Sequence, residues 1–393
     1  MSEAPVAIIG AGPAGLFAAE LLSAAGKRVV VYERMPSVAR KFLMAGRGGL
    51  NLTHSEDLEK FLARYGGEAA KLKPIIEAFT PNDLVAWANG LGVETFVGSS
   101  GRVFPKAMKA SPLLRAWLAR LSAQGVEIQT RSTWLGWNDD GSLRFDTAPS
   151  VNASATLLAL GGASWPRLGA DGSWREPLAA RGVEIAPLQP ANVGFRVAWS
   201  DHFRERFAGQ PLKNVEVKHY SRHSRGEVMI TNYGIEGGPI YALSRYLRET
   251  SLTIIRIDLR PDLRYPEVEA KLAKAKPGDT LSSTLRKTLG LSPIAIGLLH
   301  ESANGPPRRD PKGLTADLKA IHLNIGGPHG LDRAISTAGG VSWGAVDETL
   351  QLRAIPNTYV AGEMLDWEAP TGGYLLQACF ATGAWAARAI LRR

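Results

Sequence analysis

Cysteine is almost absent from this chain of 393 residues: Cys379 is the only one. A single thiol cannot form an intramolecular disulfide, a CxxC redox pair or a cysteine zinc site, so dithiol–disulfide chemistry is excluded. Long apolar runs are missing too. No stretch approaches the roughly 18 residues needed to cross a bilayer, and no basic segment with a long apolar run precedes the first strand. A soluble, cytoplasmic protein with no membrane partner is expected. The chain has no internal repeat, no low-complexity tract and no recognisable DNA- or RNA-binding signature. The seven histidines are scattered. Only His219 and His223 lie close together, in a segment that reads as strand into turn, so no metal site is expected.

What is present describes a folded protein. Hydrophobic residues make up 45% and charged residues 21%, which excludes disorder as the default. The length suggests two or three domains. The formal charge of +9 is unevenly placed, since residues 201–330 hold 20 Lys and Arg against 14 Asp and Glu. Such an excess is either a solvated face or an attraction for an anionic substrate, a second nucleotide or nucleic acid. Arg204-Glu205-Arg206 and Arg308-Arg309-Asp310 interleave acids, which argues against a nucleic-acid partner and leaves a small-molecule substrate as the expectation.

The most informative segment is VAIIGAGPAGLFAAELLSAAGKRVVVYER, Val6 to Arg34. Val6 to Ile9 is an apolar run of strand length, and the chain turns through Gly10, Gly12 and Gly15 into a helix from Ala14 to Ala25. Gly10 permits the tight turn, Gly12 lets the backbone approach a pyrophosphate, and Gly15 lets helix and strand lie close. Val29 to Tyr32 is the next strand, and Glu33 falls where a carboxylate accepts hydrogen bonds from ribose hydroxyls and repels a 2′-phosphate. This is a dinucleotide clamp suited to FAD or NAD rather than NADP.

Beyond it lies a second glycine-rich turn, Gly46 to Gly49, flanked by Lys41 and Arg47, with Thr53 or Ser55 expected to cap the following helix. Helices are expected over Lys71 to Phe79, Asn82 to Leu91 and Ser111 to Gln124, with a short strand or loop at Arg102 to Pro105 between them. Strands follow over Val126 to Trp137, Leu143 to Thr147 and Thr156 to Leu160. From Asn192 to Ile257 the alternation implies an inserted antiparallel β domain. Helices follow from Pro266 to Glu301, broken at Gly278 and Gly290, and again from Leu314 to Leu323. Residues 326–345 read as turns, Asn357 to Ala361 as a strand and Tyr374 to Leu391 as a long helix.

FAD is too long for the first strand–helix–strand unit alone, so distant chain must return to hold it. At the far end an apolar strand runs into Gly362 and Glu363, placing a carboxylate for ribityl hydroxyls, and Gly372-Gly373 opens the last helix towards the flavin pyrimidine edge. Ala159 and Gly161 end another strand, where a side chain would collide with the cofactor. Trp134 is either an adenine contact or an ordinary packed residue. His54 and Tyr374 are each either a proton donor near the flavin or a packing residue, and Cys379 reads as a small buried hydrophobe.

Together IIGAGPAG (Ile8 to Gly15), RKFLMAGRGGLNLTHS (Arg40 to Ser55), LGGASWPRLGADGS (Leu160 to Ser173), STAGGV (Ser336 to Val341) and AGEMLDWEAPTGGYLLQACFATG (Ala361 to Gly383) resemble the BaiN/YhiN-like family of FAD-dependent oxidoreductases. The resemblance implies an α/β Rossmann-like FAD-binding domain of the two-dinucleotide-binding-domain flavoprotein type, with an inserted antiparallel β domain and a small helical subdomain. The implied boundaries are 1–190 with 332–393 for the FAD domain, 191–260 with 314–331 for the β domain, and 261–313 for the helices. One departure is plain. Much of the family carries a cysteine in the second glycine turn, where this chain has Leu50 before Asn51, so no thiol there takes part in chemistry.

Motifs and resemblance nominate as cofactor-binding Gly10, Ala11, Gly12, Pro13, Ala14, Gly15, Glu33 and Arg34, then Lys41, Gly46, Arg47, Asn51 and Leu52. Trp134, Ala159, Gly161, Gly362, Glu363, Gly372, Gly373, Tyr374 and Leu375 complete the set. No catalytic acid or base is assigned. With no second GxGxxG, NAD(P)H is expected as a transient electron donor, with Arg47, Arg308 and Arg309 as candidate contacts. The alternatives are an NAD-dependent dehydrogenase, an RNA-associated flavoprotein and a flavin-binding module without turnover.

Overall fold

The computed structural model describes residues 4–46, 48–250, 253–276 and 278–393. It divides into two compact units, Met1–Gln189 with Ile335–Arg393, and Pro190–Ala334.

The first unit is built on a five-stranded parallel sheet, ordered Thr358–Val360, Ala155–Leu158, Val6–Ile9, Val29–Glu33, Glu127–Thr130. Val6 lies opposite Val29 on one side and Ala155 on the other. The inner strands are buried on both faces, which is why they read as continuous apolar runs rather than alternating ones. Chain order reverses about Val6–Ile9, so the carboxyl ends of this strand and Ala155–Leu158 border the crevice where open α/β sheets bind ligands. This is the Rossmann-like α/β class expected from the sequence.

The helix Pro13–Ala24 follows the first strand, with Pro at its start, no side-chain cap and no acid in its first turn. The last helix, Tyr374–Leu391, lies against it so closely that a Cβ on Gly383 would sit 2.4 Å from the Ala14 carbonyl oxygen. Phe380 packs against Phe17 at 5.1 Å and Trp117 at 5.4 Å between ring centroids. Truncating such a buried ring to alanine costs about 3–5 kcal/mol, so the end of the chain is bonded into the clamp by packing.

The second unit carries a six-stranded antiparallel sheet, ordered Phe195–Arg196, Gly234–Gly237, Arg222–Ile230, Pro211–His219, Thr253–Asp258, Ile321–Ile325. Val215, Val217, Ile255 and Leu323 point to one core, shared with Phe203, Leu243, Val268, Leu285, Leu298 and Leu318 from the surrounding helices. Among the described residues no helix is long and apolar enough to cross a membrane.

Several local expectations are corrected. Thr53 lies in a short strand, Thr53–His54, and the cap of the next helix, Leu58–Ala63, is Asp57, which accepts from the Glu59 N–H. Val126 to Trp137 is two strands in different sheets, Glu127–Thr130 and Trp134–Trp137. The stretch read as one helix from Leu314 to Leu323 is a helix, Pro311–Lys319, followed by the strand Ile321–Ile325, whose I-H-L-N-I alternation has period two. Residues 326–345 contain a strand, Ser336–Val341. Inside the β region lie two helices not expected, Asp201–Phe207 and Gly238–Arg248.

Candidate functional site

Three strands of the first unit end at one groove. Val6–Ile9 runs into Gly10, Ala155–Leu158 into Ala159 and Thr358–Val360 into Ala361, and all three following residues line it. The groove is partly open to solvent and runs from Glu33, Arg34, Thr133 and Trp134 past the glycine turn to Glu363 and Cys379.

Its middle is backbone. Gly10 has φ +104, and a Cβ there would lie 2.3 Å from the Ala159 carbonyl oxygen, so only glycine fits. A Cβ on Gly12 meets nothing within 4 Å: it would project into open space beside the helix start. Gly15 lies beneath, where a Cβ would strike the Gly10 oxygen at 2.0 Å. Without a capping side chain, the Ala14 and Gly15 N–H groups have no intrahelical acceptor, which makes this turn a ready anion cradle.

At one end stands Glu33. Its carboxylate accepts from the Ala11 N–H at 3.0 Å and the Met35 N–H at 2.9 Å, tying the acid to the turn. Burial pushes its pKa up, against the lowering pull of these two N–H groups and of Arg34 and Arg40. Arg34 is held by an ion pair to Asp171. Two polar atoms on this side are buried without a partner, Arg40 Nε and Trp134 Nε1. Unpaired buried groups are costly, so they fit a groove whose ligand supplies acceptors.

At the other end Glu363 is already engaged. Lys41 Nζ donates to its Oε2 at 2.6 Å and to Ser164 Oγ at 2.6 Å, while the Thr337 N–H donates to Oε1 at 3.0 Å. The acid expected to meet ribityl hydroxyls also anchors Lys41. Beside it Cys379 packs against the apolar core, as expected of a small buried hydrophobe, and also lines the groove; burial, followed by the nearby Glu363 charge, pushes its thiol pKa up to about 12.

Of the nominated residues the groove brings together Gly10, Ala11, Gly12, Pro13, Ala14, Glu33, Arg34, Lys41, Trp134, Ala159, Gly161, Gly362 and Glu363. Arg47 lies outside the described residues. Gly46 instead packs on Ala110, and Leu52 is wholly buried in the core. Gly372, Gly373, Tyr374 and Leu375 are not among the lining residues. A Cβ on Gly373 (φ +95) would lie 2.5 Å from Thr53 Cα, so the last helix starts against that strand. There Tyr374 donates its hydroxyl to Glu56, which Arg64 grips through Nε at 3.0 Å and Nη2 at 2.7 Å. Although burial pushes it up, Arg64 and Tyr374 hold the Glu56 carboxyl below its usual range. His54 stacks on Tyr374 with both ring nitrogens engaged, Nδ1 by the Glu56 N–H and Nε2 with the Ser100 carbonyl. Asn51 Oδ1 is buried without a partner. In the second unit Arg308 is taken up by Asp317 at 2.6 Å.

Sequence reasoning missed Arg40, Ser132, Gly169, Asp171 and Trp174 as lining residues. Arg40 opened one of the quoted motifs and the turn-rich stretch Gly161 to Ser173 carried Gly169 and Asp171, but nothing local marked them, since Asp171 reaches Arg34 across 137 positions.

Residues 4–389 match the family described as HI0933-like protein Rossmann domain. The chain belongs to this family. It is the family to which the five motifs pointed. Among relatives, the chain is 28% identical to a 3-dehydro-bile acid delta(4,6)-reductase of Clostridium scindens, over 99% of each chain. It is 25% identical to a ribosomal RNA dihydrouridine synthase of Escherichia coli, over 96% of each. Among solved structures, it is similar in fold to a 3-ketosteroid-delta4-(5alpha)-dehydrogenase from Rhodococcus jostii (TM-score 0.52, 15% identity, 100% of this chain and 97% of the other). A flavocytochrome c3 fumarate reductase gives a TM-score of 0.54 at 17% identity, covering 100% and 78%.

Proposed function

We propose that this HI0933-like chain is an FAD-dependent oxidoreductase that uses NAD(P)H to reduce a carbon–carbon double bond conjugated to a carbonyl in a small organic substrate. The balance is simple: hydride and one proton add across the double bond, and NAD(P)H leaves as NAD(P)⁺. The observation that carries the reading is the continuous groove from Glu33, over the N–H groups of the glycine turn, to Lys41 and Glu363. The names of the two relatives support the reaction type, since each describes hydrogenation of a ring double bond.

Bound FAD supplies a two-electron relay between nicotinamide and substrate. The protein's part is to hold and orient. In this reading the Ala14 and Gly15 N–H groups take the diphosphate, the Glu33 carboxylate takes ribose hydroxyls, and Thr133, Trp134 and Arg40 border the adenosine. Lys41, fixed by Glu363 and Ser164, brings a positive charge to the flavin side of the groove, where it favours negative charge developing on reduction. In this reading the first unit is the cofactor domain.

The test is direct. The purified protein is expected to be yellow and to release FAD on denaturation, with NADH or NADPH bleaching the flavin in anaerobic stopped flow. A colourless protein that takes up no added FAD overturns the reading, and a flavin that neither nucleotide bleaches removes NAD(P)H as donor. A second reading, uridine in RNA as the acceptor, draws on the E. coli relative's name and the basic excess of residues 201–330. Turnover of a 3-keto-Δ4 steroid against formation of dihydrouridine in ribosomal RNA separates the two.

A further inference from the structure

The second unit has a cleft that the redox reading does not use. Helices Asp201–Phe207, Leu281–Leu289 and Pro293–His300 surround about 300 Å³, a volume at the lower end for small-molecule pockets. Its floor is apolar: Phe203, Phe207 and Ile296 are 2%, 5% and 6% exposed. Gly297 makes that floor possible, because a Cβ there would lie 2.6 Å from the Phe207 ring and 3.1 Å from that of Phe203.

The rim has the opposite character. His202, Arg206, Arg286 and His300 are exposed and line the cleft from all three helices. Arg204, on the same helix as Arg206, is already paired with Asp201, and Lys287, next to Arg286, with Asp279. Arg206 and Arg286 make no ion pair among the described residues; Arg206 lies over the Phe207 ring at 5.3 Å. The only carboxylate lining the cleft, Glu301, is spent on the helix start, accepting from the Ser200 N–H at 2.9 Å and its hydroxyl at 2.7 Å. Two free guanidiniums and two imidazoles above a ring-lined floor match one ligand chemistry: a tetrahedral dianion joined to a flat apolar body.

We propose that this cleft is a binding site for a small aromatic phosphomonoester, separate from the groove of the first unit. The carboxylate acid of similar size is the rival source of charge, and it brings one negative charge to two guanidiniums where the phosphomonoester brings close to two.

The full-length protein, loaded with its flavin, is titrated calorimetrically with phenyl phosphate, inorganic phosphate, benzoate and phenol. Phenyl phosphate is expected to bind at one site per chain, with inorganic phosphate and benzoate each about tenfold weaker and phenol giving no heat. Arg206→Gln and Arg286→Gln are each expected to weaken phenyl phosphate about tenfold without altering the flavin spectrum, and Lys287→Gln to leave it unchanged. Absence of binding, unchanged affinity in both arginine variants, or an equal loss in the Lys287 variant overturns the proposal. So does a protein that ignores phenyl phosphate but binds single-stranded RNA through Arg206 and Arg286.

Discussion

Glu33 and Glu363 sit at opposite ends of one groove, and only the second adds a side-chain cation to its main-chain donors. Glu33 is fixed by two main-chain N–H groups, one of them belonging to the glycine turn itself, so its position follows from backbone that has no freedom to move. Glu363 also accepts from main chain, the Thr337 N–H at 3.0 Å and the Gly162 N–H at 3.4 Å, but it adds what Glu33 lacks, a side-chain cation, Lys41, whose stem is flexible and which also reaches Ser164. One acid reports the turn; the other depends on a partner 322 positions away. The first arrangement resists substitution nearby but fails if the turn is distorted. The second tolerates small shifts and fails if either charge is removed.

Disturbing the turn is expected to have the largest effect. Gly10→Ala drives a methyl group into the Ala159 carbonyl from a left-handed backbone position, so it should lower stability by about 3 kcal/mol or more and leave little bound flavin. Thermal melting and flavin content per chain check this. Glu33→Gln keeps the shape but weakens the grip on Ala11 and on ribose, and FAD affinity measured by fluorescence quenching should fall about 10–100-fold. Lys41→Met leaves Glu363 without its cation at a mostly buried site and should cost about 1–3 kcal/mol. The double variant with Glu363→Gln should recover part of that loss, which a denaturant midpoint series measures. Recovery sharpens the comparison, because no second substitution is expected to rescue Gly10→Ala.

The smallest effect concerns a third acid, Glu56, and is read by pH. Its folded carboxyl pKa is depressed through Arg64 and Tyr374, so the stabilisation it provides is fully present above about 4.5, the ordinary glutamate value, and fades as pH falls through the lower folded value. The stability gap between the parent and Glu56→Gln should therefore be constant near neutrality and shrink below pH 4.5, as chemical unfolding at successive pH values would show. A gap that widens in acid contradicts the assigned partners.

The legibility of this molecule follows the same division between backbone and side chain. The glycine turn was readable because Gly10 and Gly15 each answer to a distinct steric demand, and the last helix was readable because Gly373 and the apolar run after it leave little else possible. The carboxylate at Glu363 was readable as a site residue, yet its bond to Lys41 was not, since nothing local announces a partner across most of the chain. Asp57 displaced Thr53 as helix cap because Thr53 is drawn into a two-residue strand opposite Val103, a tertiary pairing that overrides local preference. The strand Ser336–Val341 escaped notice for a related reason: two glycines in six residues suit a turn, and only the close passage of Pro187 and Leu365 backbone explains their use there.

The first unit is interrupted in sequence by all of residues 190–334, and two of its parts, the edge strand Thr358–Val360 and the helix Tyr374–Leu391, come after the interruption. During synthesis the opening strand and helix therefore emerge long before the surfaces they must bury against. The inserted unit has its whole core in hand earlier and is free to fold first, while some 190 preceding residues wait with apolar faces uncovered. Recombinant yield is therefore expected to respond to chaperone supply more than the finished molecule's stability would suggest.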